Sequence, residues 1–284
     1  MSGIKFDKST IPDLSGRVLL ITGGTSGIGA ELTVELAQKN PARLLFTGRN
    51  AAAAAKTLER VRQTAPTAEA VVTFVPCDLA SLASVRAAAA WTSRGPVADG
   101  YEVHFATNHL GHALLTQKLL PLLERTAALP PLPRGRRRRV GWKGGSLDFS
   151  GGLRTTQESA LLGRWVRYCN SKLANMLYAR ELAKRHPTLL CFSIHPGVVS
   201  TGLVTDLKTS DRLFIQMTNV GKIITTEQGA FNHLWAVSAP HDSIEQGGFY
   251  EPVGVLSSEK GLRPEMRNMP ASFGTTEKEL ERFM

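Results

Sequence analysis

The sequence predicts an α/β protein built on a doubly wound parallel sheet, and three observations carry that prediction. Short apolar runs of strand length alternate with longer alanine- and leucine-rich stretches of helical period from near the N-terminus onward. A glycine-rich turn joins the first such run to the first helix. The length of 284 residues, with 42% hydrophobic and 20% charged side chains, suits one α/β domain spanning residues 1–284 and argues against a disordered or fibrous chain.

Taken in order, Arg17 to Thr22 (RVLLIT) reads as a buried strand, followed by the glycine turn and a helix over about Ile28 to Lys39 that stops before Pro41. Arg43 to Thr47 (RLLFT) is the second strand, Ala51 to Gln63 the second helix, and Val71 to Val75 (VVTFV) the third strand. An alanine-rich helix over Leu82 to Trp91 precedes a longer one over about Tyr101 to Glu124. Further helices are predicted over Glu158 to Arg185 and Glu227 to Ser238. Between them lie a strand at Leu189 to Ile194 (LLCFSI) and a loop from His195 to Thr201. Phe249 and Tyr250 begin an edge strand, and the tail after Glu259 reads as surface. No internal repeat or linker divides the chain.

Two strands of such a sheet are not found. Between Trp91 and Tyr101 the residues TSRGPVADG contain no apolar run, and Gly95-Pro96 acts as a breaker. From Leu129 to Gly145 the sequence is LPPLPRGRRRRVGWKGG, where Pro130, Pro131 and Pro133 lack ladder donors and four consecutive arginines cannot fill both faces of a buried strand. The fourth and fifth strands are therefore expected to be missing. Loss of a central strand would expose apolar faces and leave ladder groups unpaired.

The formal charge is +10, but Arg134 and Arg136 to Arg139 supply five of those charges and leave +5 without them. An arginine run without interleaved aromatics attracts polyanions without reading bases, so no nucleic-acid partner is expected. The segment from Met1 to Gly16 carries Lys5, Asp7, Lys8 and Asp13 and no apolar run. Neither a signal peptide nor a membrane anchor is visible there, and a cytoplasmic protein is expected. Three cysteines, Cys77, Cys169 and Cys191, have neither disulfide count nor zinc spacing. Reduced, partly buried thiols and no metal site are expected.

The strongest chemical signal is Thr22-Gly23-Gly24-Thr25-Ser26-Gly27-Ile28-Gly29, placed between a strand and an amphipathic helix. Gly23, Gly27 and Gly29 permit a tight turn and close backbone approach. Thr25, Ser26 and Ile28 complete a helix N-terminus whose free N–H groups suit a pyrophosphate. This suits the phosphate-binding turn of a Rossmann-like sheet, the alternative being a purely structural strand-to-helix turn, and the spacing of the first two glycines differs from GxGxxG. The second strand ends in Thr47-Gly48-Arg49-Asn50, with no carboxylate to bond the ribose 2′-hydroxyl of NAD. Arg49 suits a 2′-phosphate instead, which favours NADP(H) over the alternative of a solvated loop residue. Asp78, just past the third strand, is placed to bond the adenine amine or to cap the next helix. Tyr168 and Lys172, in YCNSK, share one helix face, and an ammonium beside a phenol of ordinary pKa ~10 favours the phenolate needed for acid–base work near neutrality.

These motifs, with Asp99 to Leu115 (DGYEVHFATNHLGHALL), SKLANMLYARELAKR and HPGVVSTGL, resemble the short-chain dehydrogenase/reductase family, and within it the retinol-dehydrogenase-like branch. The resemblance spans nearly the whole chain apart from the two gaps. It implies that Asn108 holds the active-site water relay, that Tyr168 exchanges the proton of the carbonyl or alcohol, and that Lys172 binds the nicotinamide ribose and lowers the tyrosine pKa. It also implies that Pro196-Gly197 with Val199 and Thr201 meets the nicotinamide carboxamide. The family's NNAG segment has no counterpart between Trp91 and Tyr101, and its substrate-binding serine falls where the arginine run stands. Ser146 and Ser150 are the nearest alternatives. The function implied is NADP(H)-dependent hydride transfer to or from a secondary alcohol or ketone, on a lipophilic or secondary-metabolite substrate, in a protein that can form homo-oligomers. A catalytically impaired member that keeps cofactor binding, or acts as an interaction partner, is the alternative.

Overall fold

The computed structural model describes residues 5–90, 106–129, 139–143, 163–200 and 223–257. Strands β1 (Val18–Ile21), β2 (Arg43–Gly48) and β3 (Val72–Pro76) form a parallel sheet in the order β1-β2-β3, with Ile21 opposite Phe46 and Phe46 opposite Phe74. Helices α1 (Gly27–Ala37), α2 (Ala51–Thr64) and α3 (Leu82–Ala90) follow these strands in turn. The first helix ends because Asn40 turns left-handed at φ 52° just before Pro41, which cannot continue a helix. Asn50 starts the second by accepting the N–H of Ala53 on its side-chain oxygen at 3.0 Å.

The expectation for the stretch Leu129 to Gly145 is overturned. A strand, β4 (Arg139–Lys143), lies inside it and pairs in parallel with β5 (Leu190–Ile194), Arg139 opposite Leu190 and Lys143 opposite Ile194. The prolines and all but one of the arginines precede this strand in sequence. All five residues of its partner β5 are buried, so strand pairing overrode local composition. The sheet of which it is part runs β4-β5-β8-β9, with β8 (Phe249–Glu251) parallel to β5 and β9 (Val255–Leu256) antiparallel to β8. A short parallel pair, β6 (Val198–Val199) with β7 (Ile223–Ile224), stands apart. The gap between Trp91 and Tyr101 lies outside the described residues. Among the described residues no strand pairs with the second edge of β1, a strand whose Val18 and Leu20 are 56% and 40% exposed.

The longer helix predicted from Tyr101 is described from a π-helical turn at Ala106–Leu110, which runs into α4 (Gly111–Ala127). Helix α5 (Gly163–Arg185) precedes β5, and α6 (Thr226–Ser238) opens with a capping box in which Thr225 and Gln228 bond reciprocally. Leu44 and Phe46 of β2 face α1, α2 and α6, whereas Leu45 faces the side occupied by α3 and α4. Likewise Leu190, Phe192 and Ile194 face the side of α6, and Cys191 faces α4 and α5. Helices thus cover both faces, as period-two alternation in a doubly wound sheet requires. Burying Phe46 and Leu44 completely contributes about 1.5–3 kcal/mol each. No helix of the described residues is long and apolar enough to cross a membrane.

Candidate active site

The turn after β1 is shaped by contacts that exclude side chains. Gly23 adopts φ +67°, and a Cβ on Gly29 would stand 2.3 Å from the Gly23 carbonyl oxygen, so the helix start packs directly on the turn backbone. The N–H of Gly24 donates to the Thr47 carbonyl at 2.8 Å, which fastens the turn to β2. Ser26 is the N-cap of α1 without a side-chain capping bond, and the first helical bond is from Ala30 N–H to the Ser26 carbonyl. The N–H groups of Gly27, Ile28 and Gly29 therefore point off the helix end, an arrangement that fits an anionic pyrophosphate. Beside them opens a cavity of about 280 Å³, with Thr25, Ser26 and Gly27 on one wall and Ala53, Lys56 and Arg60 on the other. Arg49 is exposed immediately after β2. Asp78 accepts the N–H of Ala80 at 2.9 Å while its own N–H donates to Ser84 Oγ. It thus shapes the loop into α3, and the hydroxyl of Ser81, one residue before that helix, accepts from Ser84 N–H.

The second part of the site is the seam between the π-helical turn and α5. Asn108 Nδ2 donates to Ser171 Oγ at 3.0 Å, and the Asn108 carbonyl accepts Asn175 Nδ2 at 2.9 Å. Lys172 stands between those two partners on α5, and Tyr168 lies one turn earlier on the same helix, its side chain outside the described residues. His109 Nδ1 is 3.0 Å from Asn175 Oδ1, and His112 Nε2 is 3.1 Å from Thr22 Oγ1, which ties α4 to the glycine turn. Burial holds both imidazoles neutral, with pKa values pushed down to about 4, and the Lys172 charge acts in the same direction.

The loop after β5 forms the third part. Gly197 takes φ +87° and donates its N–H to His195 Nδ1 at 2.7 Å. Val199 is buried, and a Cβ on Gly229 of α6 would lie 2.6 Å from Val199 Cγ2 and 3.3 Å from Ile28 Cδ1. The absent side chain lets α6 bring this loop against the glycine turn. Asn232 secures the loop by donating to the carbonyls of His195 at 2.7 Å and Tyr250 at 3.0 Å. Thr201, Ser146 and Ser150 lie outside the described residues, as do the side chains of Cys169 and Asn170. Cys77 and Cys191 are buried free thiols whose pKa values burial raises to about 11 and about 12, which disfavours the thiolate form. No cluster of three metal-ligating side chains is found among the described residues.

The structure therefore gathers Gly23 to Gly29, Val199 and, through His112, the helix of Asn108. Sequence reasoning missed Ser171, Asn175, His112 and Asn232. Of these, Ser171 and Asn175 carried a signal, one standing beside Lys172 in YCNSK and the other one helical turn past it in SKLANMLY.

Residues 17–107 match the KR domain family. A short-chain dehydrogenase/reductase of Aspergillus calidoustus is 30% identical over 84% of this chain and 85% of its own length. An uncharacterized oxidoreductase of Schizosaccharomyces pombe is 31% identical over 89% and 82%. Human retinol dehydrogenase 12 is 33% identical over 67% of this chain and 64% of its own. Among solved structures, an NADPH-bound carbonyl reductase from chicken fatty liver aligns over 90% of this chain and 99% of its own with TM-score 0.61 at 20% identity, a likeness of fold.

Proposed function

The chain belongs to the short-chain dehydrogenase/reductase family, and from that premise we propose that it is an NADP(H)-dependent oxidoreductase acting on a secondary alcohol or ketone of a lipophilic or secondary-metabolite compound. The observation that carries this reading is the seam at Asn108, which sets Lys172 of the YCNSK helix beside a π-helical turn anchored through His112 to the glycine turn. A nicotinamide cofactor, when bound, supplies or accepts a hydride at C4. The chain's residues do the rest. The N–H groups of Gly27 to Gly29 bind the pyrophosphate, with Gly23, Thr25 and Ser26 shaping the turn, and Arg49 pairs with a 2′-phosphate. Asp78 borders the adenine, and Val199 and Thr201 border the carboxamide. Tyr168 gives the proton to the carbonyl oxygen or takes it from the alcohol, its pKa lowered by the Lys172 ammonium. Asn108 holds the water through which that proton is replaced.

The test is the loss of NADPH absorbance over a panel of ketones. Turnover that disappears in Tyr168→Phe supports the reading, and turnover retained there overturns it. Arg49→Ala should weaken NADPH binding about tenfold, the worth of one charge-assisted pair, and leave NADH binding unchanged; equal effects on both cofactors would overturn the NADP(H) assignment. The arginine run that stands where the family's substrate-binding serine is expected favours a second reading, a member that binds cofactor without turning over. NADPH binding with no ketone reduced would establish it.

A further inference from the structure

We propose that Asn175 is a positioning residue that fixes the Asn108 carbonyl relative to Lys172, and that in doing so it dictates the tautomer of His109; the inference rests on the oxidoreductase reading above. A π-helical turn takes carbonyls out of the regular ladder, which opens the Asn108 carbonyl to side-chain donors. Asn175 Nδ2 donates to it at 2.9 Å. The opposite amide orientation would set two oxygens against each other, so Asn175 Oδ1 must face His109 Nδ1, 3.0 Å away. An acceptor there requires the His109 proton on Nδ1. The ring is held by burial in its neutral form and packs edge-on against Tyr178, whose hydroxyl donates to the Ala113 carbonyl.

The seam thus grips Asn108 twice from one face of α5. Ser171 takes its side chain and Asn175 its backbone, and these two residues, four apart, flank Lys172. Asn175, His109 and Ser171 are all buried, so each bond is held in surroundings where an orphaned partner is costly. Asn175 touches no reacting atom. Its role is to keep the Asn108 carbonyl at one distance from the ammonium that tunes Tyr168.

Two measurements test this. In the wild-type protein, ¹⁵N shifts of labelled histidine should show His109 as the neutral Nδ1–H tautomer, unchanged from pH 8 down to about 5. The Nε2–H tautomer would overturn the proposal without reference to activity. Asn175→Asp keeps the acceptor for His109 but replaces the donor to Asn108 with an oxygen, whereas Asn175→Leu removes both. On the ketone that wild type reduces fastest, both variants should lower kcat at least about tenfold, with KM and the NADPH Kd within about twofold, and shift the pH profile as Lys172 moves from Tyr168. Variants that bind NADPH but keep wild-type kcat and pH profile would sink the positioning role alone. A wild type that reduces no ketone would sink the oxidoreductase reading and the positioning role together.

Discussion

The side chain of Asn232, fully buried on α6, makes three hydrogen bonds: two N–H bonds to the carbonyls of His195 and Tyr250, and one accepted from Gly254 N–H at 2.9 Å. Asn232→Leu would remove one bond from each of these three groups, the Tyr250 carbonyl keeping the His195 N–H at 2.8 Å, and the expected loss is about 1–3 kcal/mol, read as a lower urea midpoint at unchanged slope. A loss under 1 kcal/mol would mean that water takes over the bonds. This residue was invisible in the sequence because its partners lie up to 37 positions away and nothing local distinguishes a clamping asparagine from a surface one. The same holds for His109 and Asn175, 66 residues apart. The glycine turn was legible for the opposite reason: strand, tight turn and helix start follow within a dozen residues, and each restricts which residue types fit.

At the scale of elements, the π-helical turn and α4 carry two neutral histidines, His109 buried and His112 half-buried. Their folded pKa values, about 4, lie below the ordinary 6.5 of the unfolded chain. Between those values the unfolded state binds the extra protons, so stability is complete above 6.5 and falls as pH drops toward 4. The slope is up to about 1.4 kcal/mol per pH unit for each ring. Urea unfolding at pH 7 and pH 5 should therefore differ by up to about 2 kcal/mol per histidine, and a pH-independent midpoint would show that these rings protonate without unfolding. Strand β4 shows where element reading failed. The arginine run and the prolines dominate the composition of Leu129 to Gly145, but the paired residues are only Arg139 to Lys143, and they are recruited by a fully buried β5. β2 was legible because apolar residues lie on both of its faces, as a strand covered on both sides requires.

The whole molecule is organised as a doubly wound sheet whose described strands fall into two main groups. Val18 and Leu20 of β1 share one face of the sheet by period-two alternation and are 56% and 40% exposed. Replacing both residues by threonine should change stability by no more than about 1 kcal/mol, since neither side chain is deeply buried, and urea unfolding reads the difference. A larger loss would mean that both side chains are covered in solution.

Helix α6 contributes Ala230 and Leu234 to the core over β1 and β2, and Ala236 to the core over β5 and β8. Lys8 adds a bridge from its first turn to α1, bonding Glu227 and Glu35 at 2.5 and 2.8 Å. A helix shared in this way couples the melting of one half to the other. Its amide protons should be among the slowest to exchange, released only when both halves open together, so that the chain loses its structure in one cooperative step rather than two.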